Sequence, residues 1–316
     1  MLSIKAGVLA LLLSFVLNGA GSCDSKRSAG AQNSNQSGNA DVPVYRDPGE
    51  GSRQKDLKPL AQGQHSPVTN PFIFVARDAK AYEELGRLIK LPDLEQDFFK
   101  SNVVVAAFLG ERRTGGYTVR ITRAGSGSIR VDDTSPGRGS ITTQVLTYPF
   151  SVVAVPVAEH EALAIDAGAA WRAATRPYQV ANGEFTMAGG ITGRMEKFAV
   201  AGSLGVMHEG NLVTLFFNLQ SKGDAKPRVL RDVASGSAQS DGSISVAVMS
   251  PGAFVDQPTD ALRATGMFAD NENRLSLTFE SVPGQVRDGF NGNGSLNATA
   301  SAPPPQRKRP AVDAPQ

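Results

Sequence analysis

Apolar residues in this chain come mostly as short runs or in alternation with polar ones, the patterns of buried and half-buried strands. Order is expected from residue 71, where Phe72-Ile73-Phe74-Val75 predicts a strand. Asp78 is placed to cap a helix that carries Tyr82, Leu85, Leu88 and Ile89 on one side, and Pro92 stops it. Strands are then predicted over 103–109, 117–121, 128–131, 140–147 and 150–155, separated by Gly-rich or Pro-Gly turns. These elements make a compact antiparallel β domain with one helix, residues 71–158.

From residue 182 a second pattern of the same kind begins. It predicts strands over 185–187, 191–195, 198–207, 212–219, 244–248, 263–268, 275–279 and 295–299, with Gly-Asn, Asp-Gly and Asn-Glu-Asn turns between them. The spacing fits a small antiparallel barrel or sandwich over 182–299, and Gly202 and Gly205 suit bends that close a barrel. Residues 159–181 connect the two domains. Their Ala-rich first part predicts a helix with Leu163 and Trp171 buried. The expected fold class is mainly β (α+β): two antiparallel β domains, the first with one helix.

The two ends read differently. Lys5 precedes an apolar stretch, 6–17, that is too short to span a bilayer as a stable helix and is broken by Asn18-Gly19. Ala20-Gly21-Ser22 then leads into Cys23. This order resembles a bacterial lipoprotein signal, in which the leader, here 1–22, is cut before a cysteine that carries acyl chains. The resemblance implies lipidation of Cys23 and a membrane-anchored protein of the bacterial cell envelope. Residues 23–70 show almost no regular apolar spacing and are expected to be a flexible tether. The proline-rich stretch 300–316, with Arg307-Lys308-Arg309, is expected to be a disordered tail.

Composition narrows the chemistry. The 33 glycines and 19 prolines among 316 residues suit a turn-rich β protein. A formal net charge of +2, with both signs mixed along the chain, provides no basic face for nucleic acid. Cys23 is the single cysteine, so neither an internal disulfide nor a cysteine-built zinc site is available.

A nucleophilic hydrolase needs a base within reach of its serine or cysteine, and the three histidines fall in unpromising places: His65 in the tether, His160 in the connector and His208 at a turn. There is no Gly-x-Ser-x-Gly elbow. His160-Glu161 lacks the second histidine of a zinc-protease helix, and the Asp270 and Asp288 turns lack the full oxygen pattern of a calcium loop. No catalytic residue, metal or cofactor is expected. An envelope hydrolase using two carboxylates that meet in space is the third-ranked alternative.

Recognition chemistry concentrates instead at Arg112-Arg113-Thr114-Gly115-Gly116-Tyr117. Paired glycines are expected to make a tight hairpin between strands 103–109 and 117–121 that exposes backbone donors and acceptors, Tyr117 supplies a rigid ring with a polar tip, and the arginines add positive charge. In the structural alternative the glycines only make a turn and Tyr117 packs across the sheet. The frame from Asn102 to Ile121, followed by Gln144-Val145-Leu146-Thr147-Tyr148-Pro149-Phe150, resembles the PrcB-like family, named for an accessory subunit of a surface protease complex. Members typically carry proline where Arg113 stands. The resemblance implies a non-enzymatic role and a protein partner, in the first instance a secreted or periplasmic protease. Arg113 to Tyr117 is also similar to a loop of chagasin-type protease inhibitors, which gives inhibition through Thr114–Tyr117 as the alternative function.

Overall fold

The computed structural model describes residues 55–125, 127–157, 162–189, 194–224, 227–248, 262–282 and 292–301. In chain order the first module contains β1 (Lys55–Asp56), β2 (Pro59–Gly63), β3 (Phe72–Ala76), α1 (Ala79–Gly86), β4 (Asn102–Phe108), β5 (Thr118–Gly125), β6 (Ser128–Thr134), β7 (Phe150–Pro156), β8 (Ala164–Ala167) and α2 (Ala169–Ala174). One sheet runs β2-β7-β4-β3 and is antiparallel throughout. The other runs β1-β5-β6-β8, with β8 joining β6 in parallel.

The two sheets share one hydrophobic core. β5 and β6 alternate, burying Val119, Ile121, Ile129 and Val131, whereas Val103 to Phe108 of β4 and all of β3 are buried on both faces. The helix starts where the sequence predicts it, with the Asp78 carboxylate accepting the Ala81 N–H at 2.7 Å and Leu85 fully buried, but it ends at Gly86, so Leu88 and Ile89, expected on its face, and Pro92, its expected stop, lie beyond it. Leu163 and Trp171 are buried as well, and the Trp171 indole donates to the Phe108 carbonyl at 2.8 Å.

The second module is a closed eight-stranded barrel: β9 (Arg176–Gly189), β10 (Arg194–Glu209), β11 (Leu212–Ser221), β12 (Val229–Ala238), β13 (Ser243–Val248), β14 (Leu262–Ala269), β15 (Arg274–Ser281) and β16 (Gly292–Ala300). Each strand pairs antiparallel with the next, and β16 closes on β9. Aromatic rings fill the interior, with Phe185 and Phe279 at a centroid distance of 4.9 Å. The register of β10 on β9 shifts between Val200 and Ser203, and Gly202 sits there at φ 138°. A Cβ at that position would collide with the Asn218 carbonyl, so glycine permits the bend.

β3 is the edge of its sheet, yet it does not face water, because it lies against β10, β11 and β12 of the barrel. The Val75 N–H donates to Ser235 Oγ at 2.9 Å, and the Thr214 hydroxyl donates to the Ile73 carbonyl at 2.6 Å. Ser235 and Thr214 are register partners whose hydroxyls are 2.7 Å apart. Since the Thr214 proton is already committed to Ile73, Ser235 is the donor between them. The result is a chain of four groups that satisfies one N–H and one C=O of the edge. Beside it, Arg77 Nη2 meets Asp232 Oδ1 at 2.8 Å with side chains 5% and 0% exposed, and the same oxygen accepts the Leu163 N–H at 3.0 Å. Burial lowers the pKa of the Arg77 guanidinium, and Asp232 raises it in part again.

Several expectations are corrected. The tether does not extend to residue 70: β1 pairs with β5, β2 pairs with β7, and Val68 is fully buried. Leu57, Leu60, Ala61 and Val68 pack on the core, but they are too few and too irregularly spaced to announce strands. The predicted strand 140–147 is not formed, and its one ladder contact is an isolated bridge between Arg112 and Thr147. The connector is a strand and a short helix, with β8 drawn into the first module's sheet and the barrel starting at Arg176. β12 was not predicted, because Asp232, Ser235 and Gly236 interrupt its apolar pattern. The barrel also runs through Ala300, and Ser301 N donates to the Pro177 carbonyl at 2.9 Å.

Two substitutions test the junction in urea unfolding of the full chain. Thr214→Val leaves the Ile73 carbonyl buried without its donor and is expected to cost about 1–3 kcal/mol. Asp232→Ala leaves the Arg77 charge buried alone and is expected to cost about 3–5 kcal/mol, more than the double replacement of Arg77 and Asp232 by apolar residues. Parent-like stability in Asp232→Ala would remove the pair from its assigned role.

Candidate protein-docking site

β4 and β5 belong to different sheets, so the glycine-containing segment between them is a crossover and not the tip of a hairpin. The physical reason lies in the neighbours: β4 is already flanked by β3 and β7, and β5 by β1 and β6. The crossover is held against the long connection that joins β6 to β7. Arg112 and Thr147 exchange both backbone bonds, at 2.8 and 2.9 Å, Gly115 N donates to the Thr143 carbonyl at 3.0 Å, and the Thr147 hydroxyl donates to the Thr114 carbonyl at 3.0 Å.

The two glycines play different parts. Gly115 is buried, and a Cβ there would come within 2.5 Å of Thr143 Oγ1. Gly116 is exposed and has φ 88°, where a side chain is strained whatever space is present. Tyr117 is half-buried and packs against the hydrophobic core, while its carbonyl accepts from the Gln64 amide at 2.9 Å. The Arg112 guanidinium lies 5.6 Å from the centre of the Tyr117 ring, within cation–π range. Arg113 projects into solvent. The structure therefore brings the six predicted residues together but divides their work: Gly115 and Tyr117 seat the crossover, and Arg112, Arg113 and Gly116 reach the surface.

The facing connection supplies residues the sequence reading did not single out for contact. Ile141 is 103% exposed, Val145 56% and Leu146 50%, a group of large apolar side chains left in water within one stretch. Arg138 lies exposed in the same connection. The signal that conceals them is their own β-branched pattern, which reads as a core strand. Nearby, the Tyr148 hydroxyl donates to Glu111 at 3.3 Å, and partial desolvation, followed by the Glu111 charge, pushes its pKa above the ordinary phenol value. Pro149 interrupts less than its residue type suggests, since its carbonyl accepts the Leu109 N–H at 2.8 Å.

The remaining candidates lie elsewhere. His65 is exposed, and His208 sits on the barrel 3.5 Å from Glu272. Cys23 and His160 fall outside the described residues. Among the described residues no group of acidic, histidine or cysteine side chains is arranged to hold a metal ion.

The crossover can be tested by paired glycine replacement. Gly116→Val is expected to lose about 1–3 kcal/mol through its positive φ. Gly115→Ala should lose less, because Thr143 Oγ1 can rotate away from the new methyl. Thermal melting of both variants at the parent temperature would mean that the crossover is not seated as described.

A comparison with curated proteins finds no match. Residues 103–156, from β4 to the end of β7 and including the whole crossover with its facing connection, match the family model described as PrcB C-terminal, so this part of the first module is PrcB-like.

Proposed function

We propose that the protein is a non-enzymatic, lipid-anchored subunit of the cell envelope whose first module docks a protein partner, a protease in the first instance, through the surface made by 112–117 and 138–146. The observation that carries this reading is the coincidence of two independent things: the PrcB C-terminal match, and the exposure of Ile141, Val145 and Leu146 in the connection that is hydrogen-bonded to the Arg112–Gly115 segment, within the matched residues. Large apolar side chains left in water near charged ones suit a protein contact. Gly115 is buried and hydrogen-bonded, so the crossover lies down on its own module. That arrangement favours a face that another protein covers over a loop that plugs a protease cleft. Lipidation of Cys23 would place this face at a membrane surface.

Two experiments test the proposal. The tagged full chain, purified in mild detergent, should bring one protein with it reproducibly. A double variant, Arg113→Glu with Val145→Asp, should lose that protein while unfolding within about 0.5 kcal/mol of the parent, as surface changes do. Recovery of the parent chain alone, or undiminished capture by the variant, would refute docking at this face. Separately, Cys23→Ser should move the protein from the membrane fraction to the soluble one; a chain that stays membrane-bound is anchored by something else.

A further inference from the structure

The stretch 141–146, Ile-Thr-Thr-Gln-Val-Leu, has the β-branched, uncharged composition of a strand but forms none. Among the described residues no backbone N–H or C=O of Ile141, Thr142, Gln144, Val145 or Leu146 has a hydrogen-bond partner. Thr143 and Thr147 are different, because both use backbone groups on the 112–115 side. Between these two anchors the chain bends at Val145, and Gln144 and Leu146 lie exposed with their backbone groups unpaired within the described residues. One isolated bridge anchors the stretch, which has Ile141, Val145 and Leu146 in solvent.

Arginine charge lies beside it: Arg138 is in the connection itself, and Arg113 projects from the crossover that holds it. The connection from 135 to 149 contains no acidic residue; Glu111, on the crossover, keeps its charge while accepting from the Tyr148 hydroxyl.

Building on the docking face described above, we propose that 141–146 is an open strand position, completed when an extended, acidic segment of the partner protein pairs along it. The partner's backbone would take up the idle N–H and C=O groups, its apolar side chains would cover Val145 and Leu146, and its carboxylates would meet Arg113 and Arg138. This is strand addition to an exposed edge, in which main-chain bonds supply affinity and alternate side chains supply selection. Two copies of this chain fit the position less well, since each would bring the same arginines to it.

The probe is a capped synthetic peptide, Thr-Glu-Val-Glu-Val-Glu-Thr, with two controls: the same sequence N-methylated at alternate residues, and the same sequence with Lys in place of Glu. Binding to the full chain is read by fluorescence polarisation and by amide hydrogen exchange. In the free protein the amides of 141–146 should exchange rapidly, and the acidic peptide should protect them. Alternate N-methylation should weaken binding about tenfold or more, and the lysine peptide should not bind. Gln144→Pro, which removes an N–H that has no internal partner, should weaken the acidic peptide similarly without changing charge. Slow exchange at 141–146 in the free chain would overturn the proposal. So would equal binding of the methylated peptide, or no binding by the acidic one. If any of these occurs while Arg113→Glu with Val145→Asp still abolishes partner capture, the docking face stands and strand addition does not. Protection that rises with protein concentration alone would give the position to a second copy and overturn the acidic-partner assignment.

Discussion

The structure depends on the way the edge strand β3 is finished. A strand buried on both faces cannot leave its outer backbone groups unpaired, because water does not reach them. Here the barrel wall completes it with side chains: Thr214 and Ser235 answer the Ile73 carbonyl and the Val75 N–H, and Arg77 with Asp232 closes the neighbouring position. Each of these groups would be a liability on a separate module. Thr214, Ser235 and Asp232 have no reason to be buried on a barrel alone, and β3 has no reason to be wholly apolar as a free edge. The two modules are thus chemically incomplete without each other, and Met207, Leu212 and Val233 of the barrel join the hydrophobic core of the first module.

That arrangement has a consequence for where function can lie. Among the described residues, the hydrogen bonds between modules involve residues 69–77 and 163 on one side and 209–235 on the other, and none involves 112–117 or 135–147. The crossover and its facing connection are held by the first module's own backbone and keep their apolar side chains in water. The edge at β3 is buried and finished by four polar side chains, whereas 141–146 belongs to neither sheet and stays exposed.

Much of the fold was readable from pattern. β3, β4, β5, β6 and β7 follow apolar runs or alternation, α1 follows its Asp78 cap, and seven of the eight barrel strands correspond to predicted alternations. The failures share a cause. β1 and β2 are too short for an apolar period to show, although Leu60 and Ala61 pack on the core, and β12 is obscured because its polar residues face the other module and not solvent. At 140–147 the error runs the other way: strand composition is present, but among the described residues the only bridge is the isolated one between Arg112 and Thr147.

For this protein the order of residues was enough to establish a mainly β chain, the capped helix, the close approach at Gly115 and Gly116 and the resemblance that the matched segment bears out, because each rests on neighbours in sequence or on local backbone sterics. Tertiary structure alone decided that β4 and β5 lie in different sheets, that Gly115 is covered while Gly116 is exposed at a positive φ, and that Asp232 serves Arg77. Those outcomes depend on which surfaces meet across distances in sequence, and hydrophobic periodicity carries a burial preference without naming the partner.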